Sequence, residues 1–156
     1  MPRTKKEEVS KKEKPAKIKK ETKVKVTEFF ESVGRRKESS ARVRLWKEKS
    51  GKIVVNDLLI ENYFYGEVFK KIYLEPFRVV NRIDQFGASV KVEGGGKMGQ
   101  IEAIVLGISR SLAKSDESFE RILKKYKLLT RDSREKERRK YGLAGKARKK
   151  KQSPKR

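Results

Sequence analysis

Large apolar side chains are confined to the middle of this chain, and that confinement limits what can fold. From Met1 to Lys23 the larger apolar residues are Met1, Val9 and Ile18, and from Thr130 to Arg156 only Tyr141 and Leu143 qualify. Segments so poor in apolar surface cannot offset the entropy lost when their backbone is ordered. Three parts are therefore expected: a basic disordered extension over 1–23, a compact domain over 24–129, and an extended basic arm over 130–156. The ends should order only on a partner. The 156 residues suffice for one domain of ordinary size with tails.

The ends also hold most of the charge. Lys and Arg number 44 against 21 acids, a net of +23. Residues 1–23 carry a net +6, residues 24–129 a net +7, and residues 130–156 a net +10. Such a field repels itself unless a polyanion is present, and the usual polyanions are nucleic acid and anionic membrane. The chain has no histidine and no cysteine. That excludes Ser-His and Cys-His nucleophile pairs, the common zinc sites and disulfides. No run of about 18 apolar residues occurs, so no membrane span is expected. Met1 to Lys23 contains Glu7, Glu8, Glu13 and Glu21 and no apolar stretch, unlike a signal or transit peptide.

Within the middle, a strand-like stretch begins at Val24 and Val26 and runs through Phe29 and Phe30 towards Val33. Ala41, Val43 and Leu45 alternate with Arg42, Arg44 and Trp46, the period of a half-buried strand. Lys49-Ser50-Gly51 reads as a turn into Ile53-Val54-Val55, and the two runs together read as a hairpin. Asn56 or Asp57 is placed to cap a helix carrying Leu58, Leu59, Ile60 and Tyr63. Gly66 interrupts, and Val68, Phe69, Ile72 and Tyr73 sit at helical spacing before Pro76, with helix continuing through Phe77, Val79 and Val80. Ala88, Val90 and Val92 form another alternating strand, ended by Gly94-Gly95-Gly96. Ile101, Ile104, Val105, Ile108 and Leu112 make one continuous helical stripe. Ser115 or Asp116 is placed to cap a last helix carrying Phe119, Ile122, Leu123 and Tyr126. Strands mixed with helices predict an α+β fold, a sheet with helices packed against it.

Gly94-Gly95-Gly96-Lys97-Met98-Gly99 matches G-x-G-x-x-G between a strand and a helix. A dinucleotide site also needs a second parallel strand ending in an acidic residue about 20 residues on, and helical pattern fills that interval. A phosphate-binding Walker loop needs Ser or Thr where Met98 stands. Two readings remain: a plain strand-to-helix turn, or a turn whose amide groups and Lys97 meet an RNA phosphate at a helix N-terminus. Arg35, Arg36 and Lys37 follow Gly34 at the mouth of a hairpin-like loop, and with Arg42 and Arg44 they make a candidate phosphate-gripping patch. RDSREKERRK, residues 131–140, has no apolar anchor for a helix, and the glycines and proline of YGLAGKARKKKQSPKR favour an extended arm. At roughly 3.3 Å per residue, Gly142 to Arg156 spans about 50 Å, enough to thread into folded RNA. Glu61, Glu67, Asp84 and Glu102 form no pair with a nucleophile or metal ligand and read as surface residues. Composition alone also permits a chromatin-like nucleic-acid protein or a nucleotide-using enzyme built on the glycine loop.

GGGKMGQIEAIVLGISRSL at 94–112, GRRKE at Gly34 to Glu38 with ARV at Ala41 to Val43, LEPFR at 74–78 and LLTRDSREKERRKYG at 128–142 together resemble the bacterial-type small-subunit ribosomal protein S-nine family. The resemblance covers about residues 26–156. It implies a mixed sheet packed with helices, of the ribosomal protein S-five domain-two type, with a left-handed βαβ unit against the usual right-handed rule. It implies no enzyme activity and no cofactor. It implies binding to the 3′ major domain of small-subunit rRNA, in the cytoplasm, beside head proteins S seven, S ten and S fourteen. The residues expected at rRNA are Arg35, Arg36, Lys37, Arg42, Lys97, Arg131, Arg134, Arg138, Arg139, Lys140, Lys146 and Arg148. Lys155 and Arg156 are expected at P-site tRNA, because the family's arm reaches there with its last residues. The family commonly ends Ser-Lys-Arg; here Pro154 stands between Ser153 and Lys155. The extension 1–23 is outside the common family pattern.

Overall fold

The computed structural model describes residues 29–48, 51–143 and 147–148. The extension 1–23, the strand start at Val24 and Val26, and Lys49-Ser50 of the expected turn lie outside the described residues. Among the described residues the chain forms β1 (Phe30–Arg36), β2 (Ser39–Lys47), β3 (Ile53–Val55), β4 (Leu58–Leu59), α1 (Ile60–Tyr63), α2 (Glu67–Val79), β5 (Phe86–Glu93), α3 (Lys97–Ser115) and α4 (Glu117–Lys125).

The strands make one mixed sheet in the order β1-β2-β5-β3-β4. β1 and β2 are an antiparallel hairpin, with Arg36 opposite Ser39. β5 lies antiparallel to β2 and parallel to β3, and β4 folds back antiparallel on β3. The β3-to-β5 connection is a crossover carrying β4, α1 and α2, so the parallel pair is a βαβ unit.

Alternation decides which sheet face is covered. Ala41, Val43 and Leu45 of β2, Ala88, Val90 and Val92 of β5, and Ile53 and Val55 of β3 are buried. They pack with Ile101, Ile104, Ile108 and Leu112 of α3, each fully buried, and with Tyr73 and Phe77 of α2 and Leu123 of α4. Val105 and Leu106 are buried as well, so between Ala103 and Leu112 only Arg110 is not buried. Burying a side chain of this size contributes about 1.5–3 kcal/mol.

β1 meets α3 differently. Its inward residues are Ser32, Gly34 and Arg36, while Val33 is exposed. A Cβ on Gly34 would stand 1.9 Å from the Ala103 carbonyl oxygen, and one on Gly107 would stand 2.5 Å from Val43 Cγ2. Ser32 Oγ donates to the Gly107 carbonyl at 2.6 Å and lies 2.7 Å from Ser111 Oγ. Small residues on both elements thus let strand and helix backbones approach closely.

Several expectations change. The run Ala41–Trp46 does not pair with Ile53–Val55, because β5 is inserted between them. Asn56 and Asp57 do not cap a helix; both have positive φ, 45° and 67°, and form the tight turn between β3 and β4. Asn56 Nδ2 donates to the Val92 carbonyl at 3.0 Å and its Oδ1 accepts from the Val92 amide at 2.9 Å, tying the turn to β5. Leu58 and Leu59 are strand, not helix. The helix does continue past Pro76 to Val79 as expected; Pro76 sits in the last turn of α2, where its missing N–H removes one hydrogen bond near the end. Of the two candidate caps before α4, Asp116 serves, accepting from the Ser118 amide at 2.9 Å.

Candidate nucleic-acid interface

Among the described residues the helices cover one face and leave the other face of the sheet open. It carries Glu31 and Arg35 of β1, Arg42 and Arg44 of β2, and Lys91 and Glu93 of β5, all exposed. Arg42 stands directly opposite Lys91. Like charges in that position destabilise a bare sheet, and neither makes an ion pair among the described residues. Arg44 approaches Glu31 at 3.6 Å and lies over the Phe29 ring at 5.3 Å. Arg35 also lacks an ion pair among the described residues. Sequence reasoning singled out Arg42 and missed Lys91. Its outward phase is visible from buried Val90 and Val92, but its position opposite Arg42 is a non-local pairing.

Two turns and the root of the arm meet at one end of this sheet. Lys37 sits in the β1–β2 turn with φ 50°, exposed. The glycine turn packs against the same hairpin. A Cβ on Gly94 would stand 2.5 Å from the Glu38 carbonyl oxygen, and one on Gly95 would stand 2.1 Å from Ser39 Oγ. Ser39 Oγ donates to the Gly94 carbonyl at 3.2 Å, and Gln100 Nε2 donates to it at 3.1 Å. Close packing accounts for these two glycines without a ligand. Lys97 opens α3, but its ammonium turns back, 3.6 Å from the Tyr63 ring centroid and donating to the Tyr63 carbonyl at 3.2 Å.

Arg36 departs most from expectation. It is the last residue of β1, not a loop residue, and its side chain is only 11% exposed. Nε donates to Glu102 of α3 at 2.5 Å, Nη1 to the Arg134 carbonyl at 2.5 Å, and Nη2 stands 3.0 Å from Asp132 Oδ2. Its donors are directed at protein.

Residues 131–140 have no regular secondary structure. Asp132 accepts from the Arg134 amide at 2.9 Å and from the Arg134 guanidinium at 2.7 Å. The Arg134 side-chain and backbone hydrogen bonds hold the Asp132 carboxyl well below the usual carboxylate range. Arg131 approaches Glu135 at 3.6 Å. Arg148 pairs with Glu137, which lowers the Glu137 pKa through the hydrogen bonds Glu137 accepts. Arg138, Arg139 and Lys140 are exposed and make no ion pair among the described residues. Lys146, Lys155 and Arg156 lie outside the described residues.

The carboxylates first read as surface residues include two with cationic partners: Glu61, 3.0 Å from Lys70, and Glu102, held by Arg36. Among the described residues no cluster of His, Cys, Asp and Glu is arranged to hold a metal ion, and no helix is long and apolar enough to cross a membrane. The arrangement can bind a polyanion through separate cations on the open face, the hairpin turn and the arm.

A family model described as ribosomal protein S9/S16 matches residues 34–156. Small ribosomal subunit protein uS9 of Rickettsia prowazekii (strain Madrid E) is 49% identical over 140 residues, 90% of this chain and 85% of that protein. The protein of the same name from Rickettsia felis (strain ATCC VR-1525 / URRWXCal2) is 50% identical over 127 residues, 81% of this chain and 78% of that protein. That from Chlorobium limicola (strain DSM 245 / NBRC 103803 / 6330) is 46% identical over 129 residues, 83% of this chain and 98% of that protein.

Proposed function

The chain belongs to the ribosomal protein S9/S16 family, and from that premise we propose that it is a structural constituent of the small ribosomal subunit, binding the 3′ major (head) domain of the rRNA and reaching P-site tRNA with its last residues. The family is one of structural, non-enzymatic proteins. On this reading the protein works in the cytoplasm within the small subunit, beside the head proteins S seven, S ten and S fourteen. The observation that carries the reading is the extent of the family match, from Gly34 in the hairpin to Arg156. The match takes in both domain and arm, which supports a role for the basic arm.

The chemistry is consistent with this. Arg35, Arg42 and Lys91 on the open face, Lys37 in the hairpin turn, and Arg138, Arg139 and Lys140 on the arm are exposed cations without acidic partners among the described residues. Phosphate oxygens would neutralise them, and contacts of this kind position a protein on RNA without reading bases. Arg131 and Arg148 would exchange an acidic partner for phosphate, and the exposed Arg134 would meet phosphate through Nη1 while Nε and Nη2 stay on Asp132. Lys97 would leave Tyr63 to do the same. Lys146 extends the arm's charge, and Lys155 and Arg156 are assigned to tRNA.

The test replaces Arg42 and Lys91 together with glutamate. Both are exposed and the core is untouched, so the domain should fold. In competition with the unaltered chain the double variant is expected to be excluded from assembled subunits; equal incorporation would remove the open face from the interface. Deleting Lys155 and Arg156 tests the tRNA contact. Assembly should survive, while P-site tRNA dissociates faster and to a similar degree for different tRNAs. An unchanged off-rate with full incorporation would leave the arm as an rRNA anchor alone.

A further inference from the structure

We propose that Arg36 is a positioning residue whose guanidinium clasps the root of the C-terminal arm to β1 and α3 and so sets the direction in which the arm leaves the domain. The consequence for RNA rests on the function proposed above; the clasp does not.

Three observations carry it. Each nitrogen of the Arg36 side chain faces a different acceptor: Glu102 on α3, the Arg134 carbonyl and the Asp132 carboxylate on the arm. A planar guanidinium with fixed donors suits such a junction, whereas a single ammonium is a point charge that cannot bond three separated groups in that geometry. Next, Asp132 is itself a node, binding Arg36 on one side and the amide and guanidinium of Arg134 on the other. Residues 132–134 are thereby drawn together by side-chain contacts and braced against the domain. Finally, no helix or strand continues through residues 131–140. The path of the arm after Leu128 and Leu129, which pack against the core, is fixed by these polar contacts and not by a backbone ladder. The guanidinium end is sheltered, while the Glu102 and Asp132 carboxylates remain 42% and 33% exposed, so salt screens the clasp in part.

The absence of native cysteine makes a direct measurement simple. Nitroxide labels go on Lys124→Cys in α4 and Lys136→Cys in the arm, both exposed and outside the clasp. Pulsed electron resonance then reports their distance distribution in the full-length chain. With Arg36 present a single narrow peak is expected. Arg36→Ala and Asp132→Ala should each lose that peak to a broad distribution, and the double variant should be no broader than Arg36→Ala. Arg36→Lys should fall between. If Arg36→Ala does not fold, Asp132→Ala decides, since it leaves Arg36 its bonds to Glu102 and Arg134. A narrow, unmoved peak in the folded variants would overturn the proposal.

A second readout separates positioning from plain electrostatics. Asp132→Ala makes the arm more positive, so an arm acting only through charge would compete better for subunits. A misdirected arm should compete worse, and better competition would overturn the positional role. If the chain proves not to enter subunits at all, the proposed function fails while the distance measurement still stands.

Discussion

At the scale of single residues, the positions that matter most are those where a side chain is missing. Gly34 lets β1 lie against α3 so closely that an added Cβ meets backbone at Ala103 and Gly107. Backbone cannot swing aside as a flexible side chain can. Gly34→Ala is therefore expected to destabilise the domain toward the upper end of the ~1–3 kcal/mol that overpacking costs, read as a fall in denaturant midpoint; an unchanged midpoint would show that the sheet can slide. Asp132 makes a different prediction. Its carboxyl is held low first by the Arg134 side chain, then by the Arg134 amide, with Arg36 adding to the effect. A depressed carboxylate contributes to the closed root above its unfolded pKa, about 3.9, and loses that contribution only as pH falls through the lower folded value. The arm root should stay closed from neutrality to about pH 4 and open only in stronger acid. The Arg134 amide shift in nuclear magnetic resonance follows this, and a midpoint near 4 would contradict it.

At the scale of elements, the β3–β4 turn shows how one side chain joins strands distant in sequence. Asn56 makes both an accepted and a donated hydrogen bond with the Val92 backbone, so Asn56→Ala should cost about 1–2 kcal/mol in thermal or denaturant unfolding; a loss of a few tenths would mean that solvent replaces these bonds. This element also shows where sequence reading stops. Asn and Asp favour helix caps and tight turns alike because their side chains hydrogen-bond nearby backbone, and only the turn adds a need for positive φ, so the residue types could not choose between them. The α3 stripe and the β2 alternation were legible because burial repeats at a fixed period. The partners of β2 and β3 were not, since alternation tells which face a residue takes and never which strand lies beside it. β1 was read by its large residues, yet its buried face is Ser32 and Gly34, small enough for close approach to α3, and Arg36, paired with Glu102 of α3. Arg36 looked like a loop cation because its acidic partners, Glu102 and Asp132, lie far along the chain. The exposed cations Lys37 and Arg42 were found where a turn and an outward strand position predict them.

At the scale of the whole molecule, charge and shape are divided between parts. The covered sheet face and α3 hold the fold together, and the open face, the hairpin turn and the arm present cations. With a net charge of +23, affinity for rRNA should come chiefly from counterion release. If six to ten phosphates are contacted, binding should weaken by roughly 10³–10⁵ between about 50 and 200 mM salt on the duplex-DNA scale, and less for single-stranded RNA. A flat response in filter binding would show that the excess charge is not the source of affinity. The most direct measurement is sedimentation of the small subunits of the cell that makes this chain, after crosslinking and with crosslinked RNA sequenced. One copy per subunit, crosslinked to a single structured site in the 3′ major domain, is the expected result; a chain left in the free fraction, or spread over unrelated RNAs, would contradict it.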